Sequence, residues 1–278
     1  MNARLKSLAY GMLGSVADAE DVVQEAMLRL HQMDPKPDSQ TAFLYRVVSN
    51  LCVDRLRREQ TRRKHYVGPW LPEPMADDAS DSIDMAQRLT MGLMVLMEAL
   101  SPAERIVYVL REAFDFSFDE IADVLRISPA NARQRARRAR VRLQGAKAPR
   151  TAPAHQKSLL ETMVQRVSAG DVAGVIDLMT DDSIAYTDGG GEVSAAIRPV
   201  CGAERIAQVM VHIVKKANDE GTLTTHLQQV NGGWGLVLYQ HGAVHSCTLV
   251  DGDGDRILRI YIVRNPQKLL GLPPVASG

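Results

Sequence analysis

Nine basic side chains and no acidic one fall between Arg126 and Arg150. They follow an amphipathic stretch, SFDEIADVL, and a tight turn at Arg126 to Ser128, so the segment reads as two short helices around a turn with Ser128 capping the second. Asn131, Arg133, Gln134, Arg137 and Arg138 fall on or beside one face of that second helix, and Ala132, Ala136 and Ala139 keep the opposite face small enough to pack closely. Arginine and glutamine can bond base edges in a major groove, while the remaining cations suit phosphates. A charge run alone would describe a solvated helix; a run placed behind a turn and an amphipathic helix points to duplex DNA.

A second basic cluster ends the stretch TAFLYRVVSNLCVDRLRREQTRRK, where residues 55 to 64 hold six cations and one acid. Arg55, Arg57 and Arg58 extend from a face that also shows Asn50 and Asp54, which gives one helix both phosphate contacts and polar groups able to read an unpaired base. Phe43 and Tyr45 are open to two readings, as base-stacking residues or as core at helical spacing. Between the two clusters, residues 73 to 87 are acidic without a single Lys or Arg. The formal net charge of zero therefore conceals blocks of opposite sign, whose field bears on partners more than on fold.

These groups need elements to hold them. LKSLAYGMLG and ADAEDVVQEAMLRL carry apolar residues at helical spacing, the latter with Asp21, Gln24, Glu25 and Arg29 opposite its apolar stripe. SPAERIVYVLREAF starts a further helix with Ser101 as cap and Pro102 in the first turn. Past a linker of Ala, Pro and basic residues, GAKAPRTAPAHQ, three helical segments precede TLTTHLQQV, WGLVLYQ, AVHSCTLV and RILRIYIV. Their alternation and their Gly, Asn and Asp turns predict an antiparallel meander. The expected class is two all-α units followed by an α+β domain. Three scattered cysteines offer neither a disulfide framework nor a metal clip, and no cofactor is expected. No apolar run approaches the roughly 20 residues of a membrane span and no signal-peptide pattern opens the chain, so a cytoplasmic protein without a membrane partner is expected.

ADAEDVVQEAMLRL, TAFLYRVVSNLCVDRLRR and LSPAERIVYVLREAFDFSFDEIADVLRISPANARQRARRARVRL together resemble regions 2 and 4 of an extracytoplasmic-function (ECF) sigma factor. WLPEP (70 to 74), DGGGE (188 to 192) and NPQKL (265 to 269) resemble three short motifs of a sigma-factor group with a C-terminal SnoaL-like domain of the NTF2-like fold. The resemblance implies region 2 over 1–66, a Pro-rich acidic linker over 67–84, region 4 over 85–145, a linker over 146–156 and the SnoaL-like domain over 157–272. It implies an alternative sigma factor bound to core RNA polymerase through the β′ clamp helices and the β flap. Asp21, Gln24, Glu25 and Arg29 would dock on the clamp helices. Asp38 and Ser39, in the loop from Pro35 to Thr41, would hold a flipped base of the −10 single strand with Asn50, Asp54, Arg55, Arg57 and Arg58. Asn131, Arg133, Gln134, Arg137 and Arg138 would read the −35 duplex. Trp70, Leu71, Pro72, Glu73 and Pro74 would meet Asp188, Gly189, Gly190, Gly191 and Glu192 and also Asn265, Pro266, Gln267, Lys268 and Leu269, so that the C-terminal domain regulates the chain without a separate anti-sigma factor. Glu192 stands where the group's glycine loop has lysine, and Gln267 where its last motif has an acid.

The C-terminal domain leaves two further readings open. An NTF2-like cavity has room for a small-molecule ligand of unknown identity, which would suit a DNA-binding one-component sensor. An enzyme would have to draw on Tyr186, Asp188, His226, Tyr239, His241 and His245, among which no paired acid and base stands out. DGDGD at 251 to 255 lacks the Gly and Glu that an EF-hand loop needs further on and is expected to be a hairpin turn.

Overall fold

Leu5, Leu8, Met12 and Leu13 recur at helical spacing, and all four are buried along α1 (Asn2–Leu13), which stops at Gly14 in the left-handed conformation (φ 69). Ser15 then caps α2 (Val16–Gln32) by accepting a bond from Asp18 N, and the acid at Asp18 suits the positive end of the helix. Val22, Val23 and Ala26 bury the inner stripe of α2 against α3 (Gln40–Arg62), which supplies Leu44, Val48, Cys52 and Leu56. The structure is a computed structural model describing residues 1–76, 89–144, 153–220 and 223–273, and the chain divides into two compact units. One comprises Met1–His65 and Ala79–Ala148, the other Tyr66–Asp78 and Pro149–Gly278.

The first unit continues with α4 (Met91–Leu96), α5 (Pro102–Glu112), α6 (Phe118–Leu125) and α7 (Pro129–Gln144). Helices α5 and α6 both begin with reciprocal capping boxes, Ser101 with Glu104 and Ser117 with Glu120. Arg126, left-handed at φ 52, ends α6, and Ser128 accepts the N–H of Asn131 to start α7, so the expected turn is where the sequence places it. One feature of this unit is absent from any sequence pattern. Arg105 on α5 is fully buried: its Nε and Nη2 donate to Gly11 O on α1 at 3.2 and 3.0 Å, and its Nη1 to Glu98. Burial pushes the Glu98 carboxyl up, but Arg105 and Arg63 overcome it and hold the group below its ordinary range.

In the second unit, α8 (Pro153–Ser168), α9 (Val172–Asp177) and α10 (Ala203–Glu220) pack on a six-stranded sheet of order β2-β1-β6-β5-β4-β3. The four expected strands are β3 (Leu223–Val230), β4 (Gly233–Gln240), β5 (Ala243–Asp253) and β6 (Arg256–Val263), and they form the antiparallel meander. Asn231-Gly232 and His241-Gly242 turn the first two hairpins with positive φ at both residues, the geometry that matches strand twist. Gly254 and Asp255 turn the third, so DGDGD ends in a hairpin turn and its first three residues close β5. Two strands lack a sequence forecast: β1 (Met179–Asp188), which runs parallel to β6, and the short β2 (Val200–Cys201). One sheet face carries Ala185, Val250 and Ile260 into a core with Leu160, Met163, Val175, Ile206 and Ala207 from the helices. Helix α8 begins at Pro153, inside the segment read as linker, and Tyr66–Asp78 belongs with this second unit. The acidic stretch from residue 77 onward lies outside the described residues.

Candidate functional site

Helix α7 is anchored by its alanines. Ala132, Ala136 and Ala139 are buried, and Arg133, Gln134, Arg137 and Arg138 are exposed, as expected of a small packed side and a polar outer side. Its arginines nevertheless differ in their freedom. The buried Glu104 carboxylate, already closing the α5 capping box, reaches Arg138 Nε at 3.4 Å and also pairs with Arg142. Together Ser101 and the two arginines overcome burial and hold this carboxyl below its ordinary range. Arg140 pairs with Glu112, and Asn131 spends its side-chain oxygen on Arg135 Nε at 2.8 Å within the helix. Among the described residues, Arg133, Gln134 and Arg137 have no such tether.

On α2, Asp21, Gln24, Glu25 and Arg29 are all exposed. Glu25 pairs with Arg29, and Asp21 lies 3.3 Å from Arg55. Arg55 also pairs with Asp18, so this arginine ties α3 to α2 and is not extended to solvent. Arg57 pairs with Asp54 at 3.0 Å, and Arg58 Nε donates to Asp54 O at 3.4 Å. Asp38 and Asn50 are exposed, whereas Ser39 uses its hydroxyl to cap α3 at Ala42 N. Tyr45 is buried edge-on against Phe114 and Phe116 and is therefore core.

The three short motifs meet at one carboxylate. Asp188, at the end of β1, is completely buried and accepts four bonds: Tyr66 Oη at 2.6 Å and Gly190 N at 3.1 Å on Oδ1, Leu71 N at 2.8 Å and Lys268 Nζ at 2.7 Å on Oδ2. Lys268 is itself buried, donates to Leu71 O, and places its ammonium 4.2 Å from the centre of the Trp70 ring and 5.0 Å from that of Tyr66. Asn265 donates from Nδ2 to Tyr66 Oη at 3.0 Å and caps the turn at Pro266–Lys268 through Gln267 N. Burial, then the bond to Asp188, drives the Tyr66 phenol upward, so it stays a donor. Close approach and backbone conformation both require the glycines. Gly190 and Gly191 lie at φ 64 and 78, and a Cβ on Gly190 would collide with the Asn265 side chain. Leu71, Pro72, Pro74 and Leu269 are buried, Glu73 is half-buried, and Pro266 and Gln267 are exposed. The buried ion pair thus joins Asp188 to Lys268 and involves neither Glu192 nor Gln267. Farther along, Met75 and Asn231 exchange bonds of 2.9 and 3.0 Å, and Ala76 pairs with Val230. Tyr66 and the pairing at Asn231 carried no signal in the sequence reading.

The polar residues considered for catalysis do not converge. Tyr186 stacks on Tyr261 at 5.8 Å, His226 meets Tyr239 edge-on at 5.4 Å, His241 sits in the β4–β5 turn, and His245 contacts Arg264. Asp251, buried under Tyr261 Oη at 2.9 Å, is pushed by burial to a pKa of about 6. Among the described residues no cluster of potential metal ligands occurs, and no helix is long and apolar enough to cross a membrane.

Residues 2–62 match the family model for sigma-70 region 2, and residues 90–143 that for sigma-70 region 4. The chain is 32% identical to the ECF RNA polymerase sigma factor SigJ of Mycobacterium tuberculosis, over 98% of this chain and 92% of that protein. It is 28% identical to the probable ECF RNA polymerase sigma factor SigI of the same organism, over 96% and 91%. The crystal structure of M. tuberculosis SigJ superposes with a TM-score of 0.79 at 31% identity, covering 98% of this chain and 96% of that one.

Proposed function

The chain belongs to the ECF sigma factors, and from that premise we propose that its C-terminal domain regulates promoter use by gripping the segment that joins the two promoter-reading regions. As an alternative sigma factor it binds core RNA polymerase and directs initiation at promoters, and it is not itself a catalyst. The observation that carries the regulatory reading is Asp188. The connector lies in sequence between the region 2 match, ending at 62, and the region 4 match, starting at 90. Yet its Tyr66 and Leu71 are bonded to a carboxylate of the C-terminal domain.

In this reading Arg133, Gln134 and Arg137 contact −35 base edges, and Arg138 and Arg142, held by Glu104, contact phosphate. Asp21, Gln24, Glu25 and Arg29 face the β′ clamp helices, region 4 meets the β flap, and Asp38, Asn50 and Arg58 lead the contacts with the −10 strand. Arg55 and Arg57 join them after exchanging their present carboxylate partners. The separate pairing of its histidines and tyrosines supports a regulatory use of the C-terminal domain. The contact in cis is independent of whether a separate anti-sigma protein also acts. The experiment is run-off transcription from a cognate promoter with core enzyme and either the full chain or a chain ending at residue 148. Core-dependent transcript from both, at different levels, supports the proposal; equal levels defeat the regulatory part, and no transcript from either defeats the promoter-reading part.

A further inference from the structure

A cation in the C-terminal domain lacks a counter-charge. Arg264 follows β6 and stands two residues beyond Ile262, which packs against the helix-side core. Its Nη1 donates to Ser194 O and its Nη2 lies 3.0 Å from His245 Nε2; no described carboxylate pairs with it. Its Nε is buried and has no hydrogen-bond partner, and the same holds for His245 Nδ1.

The protonation of the pair follows from chemistry. A guanidinium nitrogen only donates, so His245 Nε2 accepts, and the neutral imidazole must carry its hydrogen on Nδ1. Burial and then the neighbouring Arg264 charge lower the His245 pKa, which keeps the ring in that form near neutral pH. The two orphan atoms are therefore both donors, Arg264 Nε–H and His245 Nδ1–H, beside one uncompensated positive charge. Buried donors and charges ordinarily have partners, and an exception signals a missing acceptor or ion.

The local backbone is also unusual here. Leu238 pairs with Ser246 and Tyr239 with Val244, so His245 is the extra residue of a β-bulge, a device that re-aims a side chain and is common beside binding sites. We propose that Arg264 and His245 form a binding site for a small monoanionic carboxylate. The edge formed by Arg264 Nε–H and the second hydrogen of Nη2 takes the carboxylate side-on, and His245, accepting from Nη2 through Nε2, holds the guanidinium in place. One fixed cation beside a neutral histidine matches a single negative charge better than a phosphate dianion. The site is joined to the connector: the backbone N–H groups of Arg264 and Asn265 both donate to Asp188 O, at 2.7 and 2.9 Å, and the Asp188 side chain holds Tyr66 and Leu71. Occupancy at Arg264 is thus two bonds from the contact on which the proposed regulation rests, although binding itself does not depend on that regulation.

Titration calorimetry of the full chain with sodium acetate and sodium benzoate, at ionic strength fixed with sodium chloride, tests the site. The wild type should show saturable binding of at least one of the two with a stoichiometry near one, and Arg264→Lys, which keeps the charge but loses the planar fork, should bind about tenfold more weakly. Arg264→Met should abolish the signal; if that variant fails to fold, the lysine variant alone decides. Absence of saturable heat for both salts up to about 20 mM, a free energy near −2 kcal/mol, would overturn the proposal. So would equal affinity in wild type and Arg264→Lys. If binding holds and transcription is unaffected by it, only the regulatory reading falls.

Discussion

Replacing Asp188 by Asn should unseat the connector, and the cost can be worked from its bonds. The carboxylate accepts four donors, two on each oxygen, with Lys268 supplying the charge. An asparagine has one accepting oxygen. If that oxygen faces Leu71 N and Lys268, its amide points at Gly190 N, which loses its acceptor, while Tyr66 must rotate its hydroxyl to accept. If the amide faces Lys268 instead, donor meets donor. In either orientation the buried ammonium loses the negative charge of Asp188, a change that costs about 3 to 5 kcal/mol. Both tryptophans, Trp70 and Trp234, lie in the second compact unit, so urea unfolding followed by tryptophan fluorescence reports that unit alone. With a slope of about 1 to 3 kcal/mol per molar urea, the midpoint should fall by at least about 1 M. Adding Lys268→Met should return part of the loss, because the ammonium that faced Asp188 is then gone. A shift below about 0.3 M, or losses that simply add in the double variant, would refute the assignment of Asp188 and Lys268 as a coupled buried pair.

Asp251 has a folded pKa of about 6, above its ordinary value of 3.8, so its contribution to stability is complete below about pH 4 and is lost as pH rises through 6. Asp251→Asn should therefore stabilise the second unit at pH 7 by on the order of 2 to 3 kcal/mol and flatten the pH 4 to 6 stretch of its unfolding profile. Arg137→Ala should lose about 1 to 3 kcal/mol on the preferred −35 sequence and relax selectivity there, whereas Arg138→Ala, whose side chain Glu104 holds, should weaken all duplexes alike; binding assays on matched and mismatched duplexes separate the two. Arg105→Ala strands Gly11 O and strips Glu98 of one of its two arginines, and thermal unfolding of the first unit by circular dichroism should show a loss of about 3 to 5 kcal/mol.

The helices, their caps and the hairpins were legible because each rests on local chemistry: Ser101 with Glu104, the left-handed turn after Leu125, and the Asn-Gly and His-Gly turns all act within four residues. Strand β1 was not, because TDDSIAY carries little apolar alternation and its strand character comes from pairing with β6, far along the chain. The three motifs are visible as short sequence patterns, but a buried Asp188 with four donors and the entry of Tyr66 are not, since they are consequences of tertiary proximity. At Glu192 and Gln267 the chain departs from the group's charges, and its buried ion pair joins Asp188 to Lys268. Likewise no spacing separates Arg133 and Arg137 from Arg138 and Arg142. Only the position of Glu104 on a neighbouring helix does.

The central claim is that a sigma factor's promoter use depends on how its own C-terminal domain holds the connector at Asp188. Single-round transcription with core RNA polymerase and a cognate promoter, comparing the full chain with Asp188→Asn at equal holoenzyme concentration, tests it most directly. The account predicts a transcript that requires the added chain and whose yield shifts by about threefold or more, for a change in coupling near 0.7 kcal/mol. Equal yields from a variant whose connector is demonstrably released would contradict it.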